Sequence, residues 1–168
     1  MRTIKAQPLT QETFAKYGNF QNLLDDSDLA RHSIFPQGFF ADLMTLDMGG
    51  PNLPTVSVCQ AKKQEQNIIT ALEAHKGTCE GLLPLDDDVV IFVGVAFPGR
   101  PFTTAAVEAF YVPRGTFVKL NPYILHGTQF PVHSETAHIL CLLPGRTFVN
   151  DMQMQPLTEE ERAQVLLP

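Results

Sequence analysis

The sequence predicts an all-β fold, a barrel or two-sheet sandwich of jelly-roll type. Three observations carry this expectation. Thirteen prolines and eleven glycines in 168 residues supply many turns. Between those turns run short apolar segments of strand length at regular spacing. Helix-like patterns are confined to the two ends of the chain. With 44% hydrophobic and 18% charged residues the chain is globular, and its length suits a single domain, residues 1–168, with a substantial core.

Taken in order, Thr10 is placed to cap a short helix over QETFAKYG that Gly18 stops. Residues 19 to 33, with Asp25, Asp26 and Asp28, read as a polar loop. Residues 38 to 46 read as a first strand-pair region, and Gly49-Gly50-Pro51-Asn52 as a turn. Thr55 to Ala61 alternates and reads as a strand, Ile68 to His75 as the next, and Glu80 to Leu85 as a third. Asp86-Asp87-Asp88 reads as a solvated turn, because no ligand spacing follows it that would suit calcium. Val89 to Phe97 is the strongest strand and is apolar on both faces. Further strands are expected at 107–112, 116–120, 124–130 and 137–143. At the carboxy end Thr158 and Glu161 form a capping box expected to open a helix to Leu167.

The net charge of -6, with Lys62-Lys63 as the one adjacent basic pair, argues against nucleic acid as a partner. No apolar run has the length of a signal peptide or a membrane span, so a cytoplasmic protein without a membrane partner is expected. Cys59, Cys79 and Cys141 are odd in number and lie in or beside apolar segments, which suits buried free thiols in a reducing compartment. The absence of a C-x-x-C pair argues against a structural zinc knuckle.

The segment Glu73-Ala74-His75-Lys76-Gly77-Thr78-Cys79-Glu80, answered by His126, carries the candidate site. Residues two apart in extended chain share a face, so Glu73 and His75 look the same way. Glu80 follows on the next strand after a turn at Lys76-Gly77. Glu73, His75, Glu80 and His126 are therefore candidate metal ligands and candidate catalytic groups. Carboxylates with imidazoles suit a divalent transition metal, namely Zn, Mn, Fe or Ni. The same four groups could instead hydrogen-bond one another or bind substrate directly in a metal-free barrel. Lys119 and Arg114 could meet an anionic substrate at the mouth, and Tyr111 and Tyr123 could donate hydrogen bonds inside it. For all four, a surface or packing role is the simpler expectation. His138 reads as a satisfied core histidine, His133 as a turn residue and His32 as part of a surface loop or a lid.

These segments resemble the two motifs of the cupins. Glu73 stands where the first motif has its first His, while His75 and Glu80 match its second His and its Glu. The flanking glycine positions fall on Asn67 and Asp87, the residue types that best replace Gly at positive φ. In the second motif Gly115 and His126 match. Asn121 takes the Pro position, Tyr123 the inner Gly and Phe130 the Asn. The resemblance implies a cupin-type β-barrel with short terminal helices.

A closer resemblance is to the ureidoglycolate lyase family. It rests on Leu72-Glu73-Ala74-His75, Gly77-Thr78, Leu82-Leu83-Pro84-Leu85 and Val89 to Val93, then on Ala109-Phe110, Gly115 and Leu125-His126. It covers about residues 54 to 131 and extends to QPLTQETFAKYG. Two departures stand out: Leu125 replaces a Trp before the His, and Glu80 replaces a Gln. The resemblance implies a lyase that splits ureidoglycolate into glyoxylate and urea. Glu73 or Glu80 would act as base and His75 or His126 as acid, or a metal would hold the substrate oxygens. Other chemistries fit the same barrel: a metal-dependent sugar isomerase or epimerase, or a non-catalytic small-molecule-binding cupin. The expected ligand is a small anionic or polyhydroxy compound, and a homodimer is expected by analogy with other cupin barrels.

Overall fold

The computed structural model describes every residue except 33–37 and Pro51, so the end of the expected polar loop and the middle of the Gly49–Asn52 turn lie outside the described residues. The strands in chain order are β1 (Arg2–Pro8), β2 (Gly18–Asn22), β3 (Pro54–Lys62), β4 (Ile68–Ile69), β5 (Ala71–His75), β6 (Glu80–Pro84) and β7 (Val89–Val95). They continue with β8 (Glu108–Val112), β9 (Thr116–Leu120), β10 (Ile124–Leu125), β11 (Phe130–Pro131), β12 (Thr136–Pro144), β13 (Met152–Pro156) and β14 (Ala163–Leu166). Three single-turn helices, α1 (Gln11–Phe14), α2 (Asp26–Leu29) and α3 (Thr147–Asn150), complete the regular structure with two short 3-10 turns. Among the described residues no helix is long and apolar enough to cross a membrane.

One sheet runs β10-β7-β8-β1-β14-β4, with β11 also on β7. The second runs β2-β9-β6-β12-β3, and β13 pairs with β5 apart from both. All these pairings are antiparallel except that β1 runs parallel to both β8 and β14. This is the all-β architecture of packed sheets expected from the sequence.

The core has two parts, and β7 belongs to both. Val89, Ile91 and Val93 pack between the two sheets with Phe110, Val118 and Ile139. Val90 and Phe92 face the other way, into a second cluster with Leu72, Ala109 and Phe130. The alternation is the period-2 pleat of a strand buried on both faces, and each such side chain stabilises the fold by roughly 1.5–3 kcal/mol. The strand stops at Val95, two residues earlier than the sequence suggested, and Phe97 is exposed.

Several other expectations are corrected. Thr10 does cap α1, accepting a hydrogen bond from the Thr13 N–H, but the helix is one turn long. Gly18 does not stop it; Gly18 begins β2 beside the Lys119 carbonyl of β9, so close that a Cβ would sit 1.7 Å from that oxygen. The polar segment after it is ordered into β2 and α2, the latter capped by the Asp25 carboxylate. Residues 38–46 form no strand. The Thr158–Glu161 capping contacts form, with Glu161 Oε2 accepting from the Thr158 N–H at 3.0 Å, yet the chain continues into β14 rather than a helix. The exposed contribution of a cap is worth about 1 kcal/mol, less than the burial of Ala163 and Val165 against β1 and β4.

The three-aspartate turn is solvated only in part: Asp86 is exposed, Asp88 half-buried and Asp87 buried, and all three carboxylates are hydrogen-bonded. Asp86 accepts from the His138 N–H at 2.7 Å, Asp87 from the N–H groups of His133 and Ser134, and Asp88 from the Arg114 N–H and the Tyr111 hydroxyl. The carboxylates thus tie the start of β7 to β12, to the turn at His133-Ser134 and to the segment between β8 and β9, with His133 Nε2 also 3.1 Å from Asp88. His138 consequently lies half-exposed against Asp86 and Gln60 rather than in the core, while His133 does sit in a turn. His32 is exposed at the end of a 3-10 turn. Cys79 and Cys141 are buried and Cys59 half-buried, and all three are free.

Gly18→Ala is expected to destabilise the protein by roughly 1–3 kcal/mol, because the clash is with backbone and only a shift of β2 or β9 relieves it. Equilibrium unfolding in urea measures this as a lowered midpoint at unchanged slope.

Candidate functional site

β5 sorts its side chains by parity. Leu72 and Ala74 enter the cluster around Phe92, and Glu73 and His75 take the opposite face. The chain then turns at Lys76-Gly77 and returns as β6, whose first residue is Glu80. His126 follows β10, a segment distant in sequence that lies directly beside β5. Glu73 and His126 form an isolated antiparallel bridge, each N–H donating to the other's carbonyl at 2.9 Å. These pairings bring together the four residues singled out in the sequence.

Three of the four are buried as a unit. His126 Nε2 lies 2.7 Å from Glu80 Oε2, and His75 Nε2 lies 3.4 Å from the same oxygen. One ligand atom from each of the three lies within 4.8 Å of the others. Glu73 stands at the rim: its Oε1 is 3.7 Å from His126 Nε2 and its side chain is 25% exposed.

Each imidazole is oriented from behind. The His126 Nδ1–H donates to the Ile124 carbonyl at 2.8 Å, and His75 Nδ1 faces the Asp151 carbonyl at 3.4 Å. Both rings therefore present Nε2 to Glu80, the arrangement in which backbone carbonyls fix the tautomer of ligating histidines. Asp151 does more, since its carboxylate accepts from the N–H groups of Lys76 and Gly77 at 3.0 and 2.8 Å and holds the turn after His75. Sequence reasoning missed Asp151 because it lies 75 residues from that turn and no local spacing marks it. The Phe148 ring, 6.2 Å from that of His75, was missed for the same reason.

Motif comparison located one strained residue well. Tyr123, at the inner glycine position, has φ 63, and Gly115, the motif's first glycine, has φ 78. A bulky residue held there costs roughly 1–3 kcal/mol. It is held by the Tyr123 N–H donating to the His75 carbonyl and its carbonyl accepting from the Ala96 N–H, both at 2.8 Å. Asn67 and Asp87 are not among the described positive-φ residues, so their glycine-like reading does not hold.

The other candidates lie elsewhere. Tyr111 packs against the cluster on the far side of β8 and its hydroxyl donates to Asp88. Tyr123 packs its ring against that same cluster. Lys119 is on the face of β9 opposite the buried Val118 and Leu120, and its Nζ reaches the Thr45 carbonyl at 3.4 Å. Arg114 contributes its backbone N–H to Asp88.

The buried charges set each other's ionisation. Burial pushes the Glu80 carboxyl up, but the His126 charge and its contact outweigh that and hold it at about 2. Burial pushes His126 down, and Glu80, with a smaller contribution from Glu73, raises it to about 9. The trio also fits a metal. His75 Nε2, Glu80 Oε2 and His126 Nε2 are buried and none has a well-directed hydrogen bond. Ligand atoms about 2 Å from a shared ion stand roughly 3 Å apart, close to the separations found here. Two imidazoles and a carboxylate are a donor set for a divalent transition metal.

In metal-free protein the pair contributes to the pH dependence of stability. His126 has a folded pKa above 6.5, so its contribution is complete below 6.5 and is lost as the pH rises through about 9. Glu80 has a folded pKa below 4.5, so its contribution is complete above 4.5 and is lost as the pH falls through about 2. Thermal unfolding of chelator-treated protein should show this plateau, and Glu80→Gln should remove the alkaline limb.

The comparisons with known proteins follow the same lines. Residues 1–164 match the family described as Ureidoglycolate lyase. A curated protein of Agrobacterium fabrum (strain C58 / ATCC 33970), named "Putative ureidoglycolate lyase", is 24% identical over 135 residues, covering 79% of this chain and 77% of its own. Among solved structures, a dTDP sugar isomerase from Desulfovibrio desulfuricans G20 aligns with a TM-score of 0.47 at 8% identity, over 63% of this chain and 66% of that one. A dTDP-4-dehydrorhamnose 3,5-epimerase from Elizabethkingia anophelis NUHP1 aligns with a TM-score of 0.38 at 12% identity, over 66% and 55%. The chain thus spans less than two thirds of the length of those structures, and likeness at that level carries no argument about activity. The family match covers nearly the whole chain and includes every residue of the buried trio, and on that ground the chain belongs to the ureidoglycolate lyase family of enzymes.

Proposed function

We propose that this protein cleaves the C–N bond of a small hydroxy-acid ureide, with ureidoglycolate as the reference substrate, and that His75, Glu80 and His126 hold a divalent transition metal that assists. The observation carrying the metal part is the set of three buried ligand atoms without directed hydrogen bonds. The family match supports the reaction class.

The trio leaves Glu73 with a separate task. As ligands, Glu80 and both histidines have their inward atoms engaged, and Glu73 is the remaining carboxylate, partly exposed at the rim. A metal bound by the trio supplies a Lewis acid that lowers the pKa of a substrate hydroxyl. Glu73 takes the proton from that hydroxyl as general base. The O–H electron pair then becomes the second bond of a carbonyl, the C–N bond breaks with its pair going to nitrogen, and the nitrogen is protonated to give a urea. The Ile124 and Asp151 carbonyls keep both imidazoles facing inward, and the bridge to His126 holds the Glu73 backbone while its side chain works. Glu80 in place of the Gln of the related pattern adds the negative charge that a cation site needs.

Purified protein should accelerate urea release from ureidoglycolate and contain a transition metal by elemental analysis; a rate equal to buffer overturns the proposal. Glu80→Gln should lose the metal and the activity together. Glu73→Gln should retain the metal while kcat falls by roughly 10²–10⁴.

A further inference from the structure

His75 and His126 present the same nitrogen to Glu80, but they are held in different ways. The carbonyl facing His126 Nδ1 belongs to Ile124, two residues earlier in the chain, at 2.8 Å. The carbonyl facing His75 Nδ1 belongs to Asp151, 76 residues later, at 3.4 Å. That separation is at the outer edge of a hydrogen bond, so this contact alone orients the ring weakly. The Glu80 oxygen shows the same asymmetry, 2.7 Å from His126 Nε2 and 3.4 Å from His75 Nε2.

One remote stretch, residues 147–152, supplies what the local chain does not. Met152 is the ladder partner of His75 where β13 pairs with β5. Asp151 Oδ1 accepts from the Lys76 N–H at 3.0 Å, and Oδ2 accepts from the Gly77 N–H at 2.8 Å. The Phe148 ring lies 6.2 Å from the imidazole at an interplanar angle of 81°, a favoured edge-to-face contact. The stretch is itself fixed at both ends. Thr147 is buried with its hydroxyl donating to the Pro144 carbonyl at 2.7 Å, and β13 runs beside the whole of β5.

We infer that Asp151 is the positioning residue of His75. Its two carboxylate oxygens pin the turn after the histidine, while its own carbonyl faces Nδ1. Turn and carbonyl therefore cannot move apart, and the imidazole keeps its proton on Nδ1 and its Nε2 toward Glu80. His126 needs no such device, because its orienting carbonyl comes from its own segment. This role holds with or without a metal, and only the affinity measurement below rests on the metal-site reading above. Groups that orient a ligating histidine from behind are typically worth roughly 10–100-fold in metal affinity.

The test is the nitrogen-15 spectrum of the imidazoles in chelator-treated protein, in mildly alkaline buffer where an ordinary imidazole is neutral. The intact protein should show His75 in one tautomer, protonated on Nδ1. Asp151→Ala should give a mixture of tautomers at His75 and leave the His126 signals in place. Asp151→Asn, which keeps one acceptor oxygen and turns an NH₂ toward the other N–H, should fall between the two. Zinc affinity, measured by competition with a chelator, should fall roughly 10–100-fold in Asp151→Ala and be partly restored in Asp151→Asn. Gly18→Ala is the control for stability alone, since it strains the β2–β9 pairing; it should lower the unfolding midpoint and leave the His75 tautomer unchanged. An Asp151→Ala protein with the intact His75 spectrum, or a Gly18→Ala protein that shifts His75 as much, overturns the inference. Where Asp151→Ala does not fold, an unchanged His75 spectrum in Asp151→Asn overturns it. An intact protein that binds no zinc, while Asp151→Ala still mixes the tautomers, defeats the metal reading and leaves the positioning role.

Discussion

A carboxylate inside a β-barrel costs several kcal/mol to desolvate, and Glu80 remains ionised there because His126 lies 2.7 Å away and His75 3.4 Å away. Removing either side of such a buried pair leaves a stranded charge, so the partners must arrive together. Much of the architecture around the site delivers them. β6 must begin at Glu80, the Lys76-Gly77 turn must lead β5 into it, and β10 must end one residue before His126. Asp151 fixes the first of these joins through two backbone N–H groups, and Tyr123 fixes the last from a left-handed conformation. The strain at Tyr123 is tolerated because both of its backbone polar groups are bonded into neighbouring segments.

The apolar core makes that delivery rigid. β7 is packed on both faces, and its outer cluster holds Leu72 and Ala74 of β5 and Leu125 of β10. The residues beside the site are thus anchored by the side chains that alternate with its own. A strand carries both jobs at once because its period is two. One parity supplies the hydrophobic anchor, and the other supplies the chemistry.

That periodicity is also why the site was legible in the sequence. Glu73 and His75 on one face, Glu80 after a short turn and a distant His126 are features of spacing, and the doubly apolar run of β7 is a feature of composition. Less was legible where the partner is remote. β1 has only Ile4 and Ala6 as buried alternating residues and is a strand because β8 and β14 flank it in parallel. β2, GNFQN, lacks apolar alternation and is shaped by the close approach of Gly18 to β9. β14 was mistaken for a helix because a genuine capping contact precedes it, a local signal overruled by sheet pairing. The division of the four site residues into a buried trio and a rim carboxylate was likewise invisible. Spacing states which face a residue takes, not how deep in the barrel it ends.

The reciprocal bridge between Glu73 and His126 has a bearing on how this chain can change over evolutionary time. It locks the reading phase of β5 against a neighbouring segment that lies some fifty residues away in sequence. A one-residue insertion or deletion between Ala71 and His75 would present Leu72 and Ala74 to the site and drive a carboxylate and an imidazole under Phe92. A substitution at 73, 75 or 80 leaves that register intact. A length change in β5 does not, so lineages of this fold are expected to vary the identity of the groups at 73, 75 and 80 while keeping the count of residues between them.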